Sequence, residues 1–293
     1  MKAKTGVADV FIWIILALAA LSCLVPMLNS LAISFSDKTS AALGKVLFWP
    51  HNFNISSYIK IVEEQQFFRS FANSLLRVFL GGLLNISLCI IMAYPLSKEE
   101  SAFRFRNVYI WVIVFTMLFN GGLVPTFLVI KSLGLMDTIW ALVLPGSVPV
   151  FSLILLMNFY KGLPKALEEA ARVDGANPLF ILFNIFVPLS KPAIATIALF
   201  SIVGHWNAFF DGKIYMNTPL KMPLQTYIQS LTVQVDFTRL STMTREQVLE
   251  QLERSNLTFN SAKVMVSMVP ILLIYPFLQR YFVTGIVMGA VKE

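Results

Sequence analysis

The sequence predicts an all-α protein that crosses a membrane six times. Three observations carry that expectation. Hydrophobic residues make up 57% of the 293, with 25 Phe and 13% charged residues, a balance that suits lipid rather than water. Six stretches, 10–33, 71–96, 108–130, 139–160, 193–210 and 264–288, each approach the roughly 20 apolar residues that a helix needs to cross a bilayer. None alternates as a barrel strand does, and lipid cannot satisfy open backbone groups, which leaves helices. No repeat or low-complexity tract divides the chain, so 1–293 reads as one membrane domain.

Lys2 and Lys4 precede the first stretch, which is longer than the apolar core of a signal peptide and reads as a retained span. Cys23 and Cys89 both fall inside spans and read as packing residues, with no metal or disulfide role. The net charge of +7, spread along loops, suits an anionic bilayer surface and does not argue for nucleic acid. An outer loop, 34–70, carries Phe48-Trp49-Pro50 and the run 52–58, whose aromatic residues suit the membrane edge. Arg77, in the second span, is expected to snorkel. In the third span Asn120-Gly121-Gly122 precedes Pro125, which predicts a break or kink that either lines a cavity or packs against neighbours.

The fifth span contains Gly204-His205-Trp206-Asn207. Counted from Ala193, His205 lies roughly 18 Å along the helix, somewhat past the midplane. Polar side chains at that depth are costly unless they face protein or water. A Trp ring can lie on the apolar face of a sugar, and Asn and His can bond its hydroxyls. His205, Trp206 and Asn207, with Asn120 across the kink, are therefore candidate cavity residues; the alternative is that they are satisfied structurally. The longest outer loop, 211–263, has a polar helical segment at 242–254 with Glu246, Glu250 and Arg254, either a solvated helix or a surface for an external partner.

Between the fourth and fifth spans lies a polar island, 161–192. Its sequence reads helix, turn, helix, stop. Pro164 opens the first helix, Glu168 pairs with Arg172 four residues on, and Asp174-Gly175 ends it. Asn177-Pro178 starts the second as N-cap and first helical residue, and Pro188 and Pro192 close it. Two short helices at a sharp turn make either a docking surface or an ordinary hairpin.

The spacing Glu169-Ala170-Ala171, three residues, Gly175, nine residues, Ile185, one residue, Val187-Pro188 resembles the EAA signature of ABC importer membrane subunits. Val187 stands where that family usually has leucine. The run 119–144, FNGGLVPTFLVIKSLGLMDTIWALVL, resembles a branch associated with oligosaccharide and complex-polysaccharide uptake, and Trp206-Asn207 with Phe209 resembles maltose-type permeases. The ending from Gln279 to Glu293 resembles the same carbohydrate permeases.

The resemblance implies the type I ABC importer permease fold, with the island as a coupling helix seated in an ATP-hydrolysing subunit. Glu168, Glu169, Ala170, Ala171, Asp174, Gly175, Ala176 and Pro188 are the residues it assigns to that contact. It further implies a second permease subunit, two ATPase subunits that carry ATP and Mg, an extracytoplasmic solute-binding protein and a carbohydrate, an oligosaccharide, as substrate. The coupling loop must face the ATPase, which places both termini in the cytoplasm of a bacterial cell; basic residues, denser per residue in the inner segments, agree.

The chain has no phosphate loop, no H-E-x-x-H and no Cys/His cluster, and its histidines are His51 and His205 alone. It is not expected to be an enzyme or to bind a cofactor or metal. An ion-coupled secondary transporter would fit the spans and the broken third helix equally well. It would not explain the 169–188 spacing, or spans without carboxylates.

Overall fold

The structure is a computed structural model that describes residues 7–231 and 257–290. The polar segment 242–254, Lys2, Lys4 and the last three residues lie outside the described residues. Every regular element among the described residues is helical. The chain divides into two compact units, Met1–Phe68 with Ile228–Val269, and Arg69–Tyr227 with Pro270–Glu293.

In the first unit, α1 (Val7–Ser34) is apolar all round, and its spanning stretch is uncovered, as a lipid-facing helix requires. The following loop is folded rather than plain. It contains α2 (Lys38–Ala42), capped by the Asp37 carboxylate, and α3 (Ser56–Glu63). Asn29 of α1 donates to the carbonyls of Val46 and Leu47 at 3.1 and 2.7 Å, and Phe35 stacks on Phe53 and Tyr58. The buried ammonium of Lys263 meets Glu64 at 2.7 Å.

The second unit is built on α4 (Gln65–Ser97), a long helix that departs from the sequence expectation mainly by starting earlier. The third span is broken, as Asn120-Gly121-Gly122 predicts. α5 (Arg106–Leu118) and α6 (Leu123–Ser132) meet at 112°, with Gly122 at φ 91°, a region that favours glycine. The fourth span is shorter than predicted. Pro145, Gly146 and Pro149 interrupt 139–160, leaving a single turn, α7 (Trp140–Val143), and α8 (Val150–Lys161). α9 (Lys165–Val173) then turns away from α8 by 74°.

Asn177 caps α10 (Pro178–Ile181) by accepting from Phe180 N at 2.8 Å. The helix stops at Leu189, one residue past Pro188. The missing N–H of Pro188 is absorbed by a π-helical turn, Leu182–Phe186, which leads into the last turn, α11 (Val187–Leu189). Pro192 begins the next helix, α12 (Lys191–Asn207), set at 82° to the last. Part of the loop expected at 211–263 is helical too, as α13 (Phe210–Tyr215) and α14 (Leu224–Leu231). Asp137 holds it by accepting from the backbone of Asn217 and Thr218 and from Lys221. The Lys221 bond, the Thr218 bonds and a backbone bond from Asn217 hold the Asp137 carboxyl well below the usual range, against a smaller opposing effect of burial. α15 (Leu257–Ala290) is the last helix.

The core of the second unit joins α4, α8, the π-turn region and α12 through Cys89, Tyr94, Leu156, Tyr160, Phe186 and Ile197. Cys89 is a buried free thiol, and Cys23 is a free thiol on α1. Among the described residues, three helices are long and apolar enough to cross a membrane alone, and up to six crossings result if each bent pair counts as one.

Candidate functional site: a loop helix and a polar cavity

The first helix of the island forms as predicted, as α9. Leu163 and Ala171 pack on the core, while Leu167 and Val173 are exposed, Val173 by 88%. Glu168 faces inward and Glu169 and Ala170 face out. The end of the helix is a Schellman motif. Ala176 N donates to Ala171 O at 2.9 Å and Gly175 N to Arg172 O at 3.0 Å, with Gly175 at φ 81°. Asp174 is the C-cap, and Ala176 packs inward beside Ala171. Pro188 is exposed, one helix further on.

Glu168 makes the predicted bond with Arg172, at 2.7 Å, and a second that the sequence did not suggest, with Lys98 at 2.5 Å. Lys98 Nζ also lies 3.9 Å above the Tyr94 ring and 4.2 Å above that of Phe186. Burial alone would raise the Glu168 pKa. The hydrogen bonds and charges of Lys98 and Arg172 outweigh it, and the carboxyl is held below its ordinary value. One signal was available: Tyr94 and Lys98 stand one helical turn apart, but nothing in the sequence names Glu168 as the third member.

A cavity of about 390 Å³ opens in the second unit, with Arg77, Asn85, Ser152, Ser201, His205 and Asp211 among its polar lining. In the orientation that satisfies all its neighbours, the Asn85 carboxamide oxygen accepts from His205 Nε2 at 3.2 Å and Ser201 Oγ at 3.0 Å. Its nitrogen donates to the carbonyls of Gly81, Gly146 and Ser147. Gly81 is needed here: a Cβ would collide with the His205 ring. α4 and α12 thus approach closely where these polar groups meet.

Arg77 does not snorkel. Its side chain is 3% exposed, and its guanidinium grips Asp211 bidentately, Nη1 to Oδ1 at 3.0 Å and Nη2 to Oδ2, with a further bond from Nη1 to Ala208 O at 3.3 Å. The pair braces the bend between α12 and α13. A charge at that depth requires a partner, and Asp211, just past the fifth span, was the signal the sequence offered.

Of the four predicted cavity residues, the structure brings His205 to this cavity. Successive helical residues point about 100° apart. Trp206 is accordingly turned away, 3% exposed, its ring edge-on to Phe71 at 5.7 Å. Asn207 is exposed at the end of α12. Asn120 is exposed too, and accepts from Gly122 N at 2.9 Å to shape the third-span break. None of these three is among the lining residues.

No protein-family model matches the chain. It is 36% identical over 292 residues to the polygalacturonan/rhamnogalacturonan transport system permease protein YtcP of Bacillus subtilis (strain 168), covering 99% of both chains. It is 37% identical over 269 residues to protein LplC of the same strain, covering 92% of this chain and 89% of the other. Among solved structures it resembles a chain of a bacterial ABC transporter involved in the import of the acidic polysaccharide alginate, with a TM-score of 0.85 and 30% identity over 96% of this chain and 99% of that one. With this end-to-end likeness added to a helical, multi-pass architecture, the chain belongs to the membrane-embedded permease subunits of ABC carbohydrate importers.

Proposed function

We propose that this chain, acting as a single permease domain over 1–293, pairs with a second permease and two ATPase subunits to import an oligosaccharide by alternating access. ATP and Mg are bound by the partner ATPases and no cofactor by this chain. An extracytoplasmic solute-binding protein delivers the sugar. The protein resides in a bacterial cytoplasmic membrane with both termini inside. Relatives named for polygalacturonan/rhamnogalacturonan and for alginate make fragments of acidic polysaccharides the first substrates to try.

The observation that carries this reading is α9. A short helix whose inner face is bonded to the rest of the unit, and whose outer face leaves Leu167, Glu169, Ala170 and Val173 uncovered, suits docking into a separate protein. ATP binding would displace that helix and bias the spans between outward- and inward-open arrangements, and hydrolysis would reset them. In the cavity, Ser152, Ser201 and His205 offer hydroxyl and imidazole groups suited to sugar hydroxyls. The charged groups of the lining, Arg77 and Asp211, hold each other as an ion pair.

The test is purification of the chain co-expressed with the candidate ATPase and second permease. A stoichiometric complex whose hydrolysis is stimulated by the loaded solute-binding protein supports the reading. Transport by this chain alone, driven by an ion gradient, overturns it.

A further inference from the structure

Loop helix and cavity are joined through one element. α4 supplies Arg77 and Asn85 to the cavity lining, and the two residues after its last turn, Lys98 and Glu99, each hold a residue of α9. Lys98 bonds Glu168, and Glu99 pairs with Lys165, one helical turn earlier. From Arg77 to Lys98 is about 30 Å at helical rise.

The two grips differ in kind. Glu99 and Lys165 are 67% and 74% exposed, a surface pair of the sort that contributes little. Lys98 and Glu168 are 12% and 15% exposed, and the ammonium is closed in by the Tyr94 and Phe186 rings. A buried pair of this kind is no better for stability than apolar packing; what it supplies is defined geometry. Phe186 stands on the π-helical turn, so a single cation touches the end of α4, α9 and the helix that follows α9. Three elements converge on Lys98.

We propose that Lys98 is a positioning residue that clamps α9 to the end of α4, so that displacement of the loop helix moves α4 as one body and reaches Arg77 and Asn85 at the cavity. This rests on α9 being the ATPase contact. Close-packed elements shift as units rather than deforming continuously, which lets a clamp at one end act at the other.

The test uses the whole importer, with Cys23 and Cys89 replaced by Ala and a reporter cysteine at Ser152 in the cavity lining. Its labelling by a maleimide is followed with and without a non-hydrolysable ATP analogue. In the parent the analogue changes the labelling rate. In Lys98→Met the ATPase stays bound and basal hydrolysis is retained, but the labelling change is lost. Hydrolysis stimulated by the solute-binding protein falls roughly tenfold, the scale of one lost charge-assisted hydrogen bond. Lys98→Arg restores both. In a second arm, cysteines at 99 and 165 are joined by a short bifunctional thiol reagent, and the labelling response persists because the two elements already move together.

A normal labelling response in Lys98→Met overturns the proposal, as does its arrest by the 99–165 bridge. Release of the ATPase from Lys98→Met overturns it too, since the residue would then serve docking. If Lys98→Met fails to reach the membrane, the bridge arm decides. Failure of the underlying reading looks different: Glu169→Lys would leave the ATPase bound and transport normal.

Discussion

Replacing Asp211 by Asn would strand the Arg77 guanidinium in an interior where 3% of its side chain reaches solvent. Arg77 gives one bond to each carboxylate oxygen, and an Asn offers a single oxygen in their place. Breaking a buried ion pair by removing one partner costs about 3–5 kcal/mol. Asp211 is 29% exposed, so water reaches one side of the pair, and the lower end, about 3 kcal/mol, is the expected loss. Arg77→Met leaves a carboxylate that water can partly solvate, at about 1–3 kcal/mol. With both replaced, no charge is left unpaired. The double variant should therefore be more stable than the sum of the singles by about 2 kcal/mol, read as the coupling energy of a double-mutant cycle from denaturation in detergent. Effects that add to within about 0.5 kcal/mol would refute the claim that the two charges depend on each other.

Other consequences follow from the same geometry. Gly81→Ala should drive α4 from α12 at about 1–3 kcal/mol, and His205→Ala in the same chain should relieve it; a stable Gly81→Ala single variant denies the close approach. The Glu168 carboxyl is held below its ordinary value, so its bonds to Lys98 and Arg172 contribute fully above the unfolded carboxylate pKa of about 4.3 and are lost only as pH falls below it. The stability difference between wild type and Glu168→Gln should stay constant from neutral pH into that range and then vanish, and a difference already gone in the neutral range would contradict this. Cysteines at Ala42 and Thr242 should react with an impermeant reagent in intact cells and one at Lys165 should not; labelling at Lys165 would reverse the orientation.

Much of the fold was legible because the membrane demands long apolar runs, and such runs are visible without any knowledge of packing. The Asn120–Gly122 break, the Gly175 turn, the Asn177 cap and the Glu168–Arg172 pair were also readable, since each is a local effect within a few residues. Pro145-Gly146 and Pro149 are equally local, but they sit inside a run apolar enough to pass for one span. The stop near Pro188 was readable, but the π turn that precedes it, Leu182–Phe186, was not. The cavity was the least legible part. Asn85–His205 and Arg77–Asp211 join residues more than a hundred positions apart, and helix pairing, not local pattern, decides them. Trp206 and Asn207 shared a tetrapeptide with His205, yet helical rotation sends them elsewhere.

The central claim is that α9 carries the coupling to a separate ATPase, and Glu169, exposed, is the charged member of the Glu169-Ala170-Ala171 triplet. A carboxylate there is suited to an oriented bond with a donor on the partner, and Gly175 at φ 81° sets the turn that presents it. The most direct measurement is ATPase pull-down together with ATP-driven oligosaccharide uptake in vesicles, for wild type, Glu169→Lys and Gly175→Val. Neither substitution touches an apolar run, so all three chains should be present in the membrane. Loss of the bound or stimulated ATPase and of uptake in both variants is the predicted result, and full uptake in both would contradict the account.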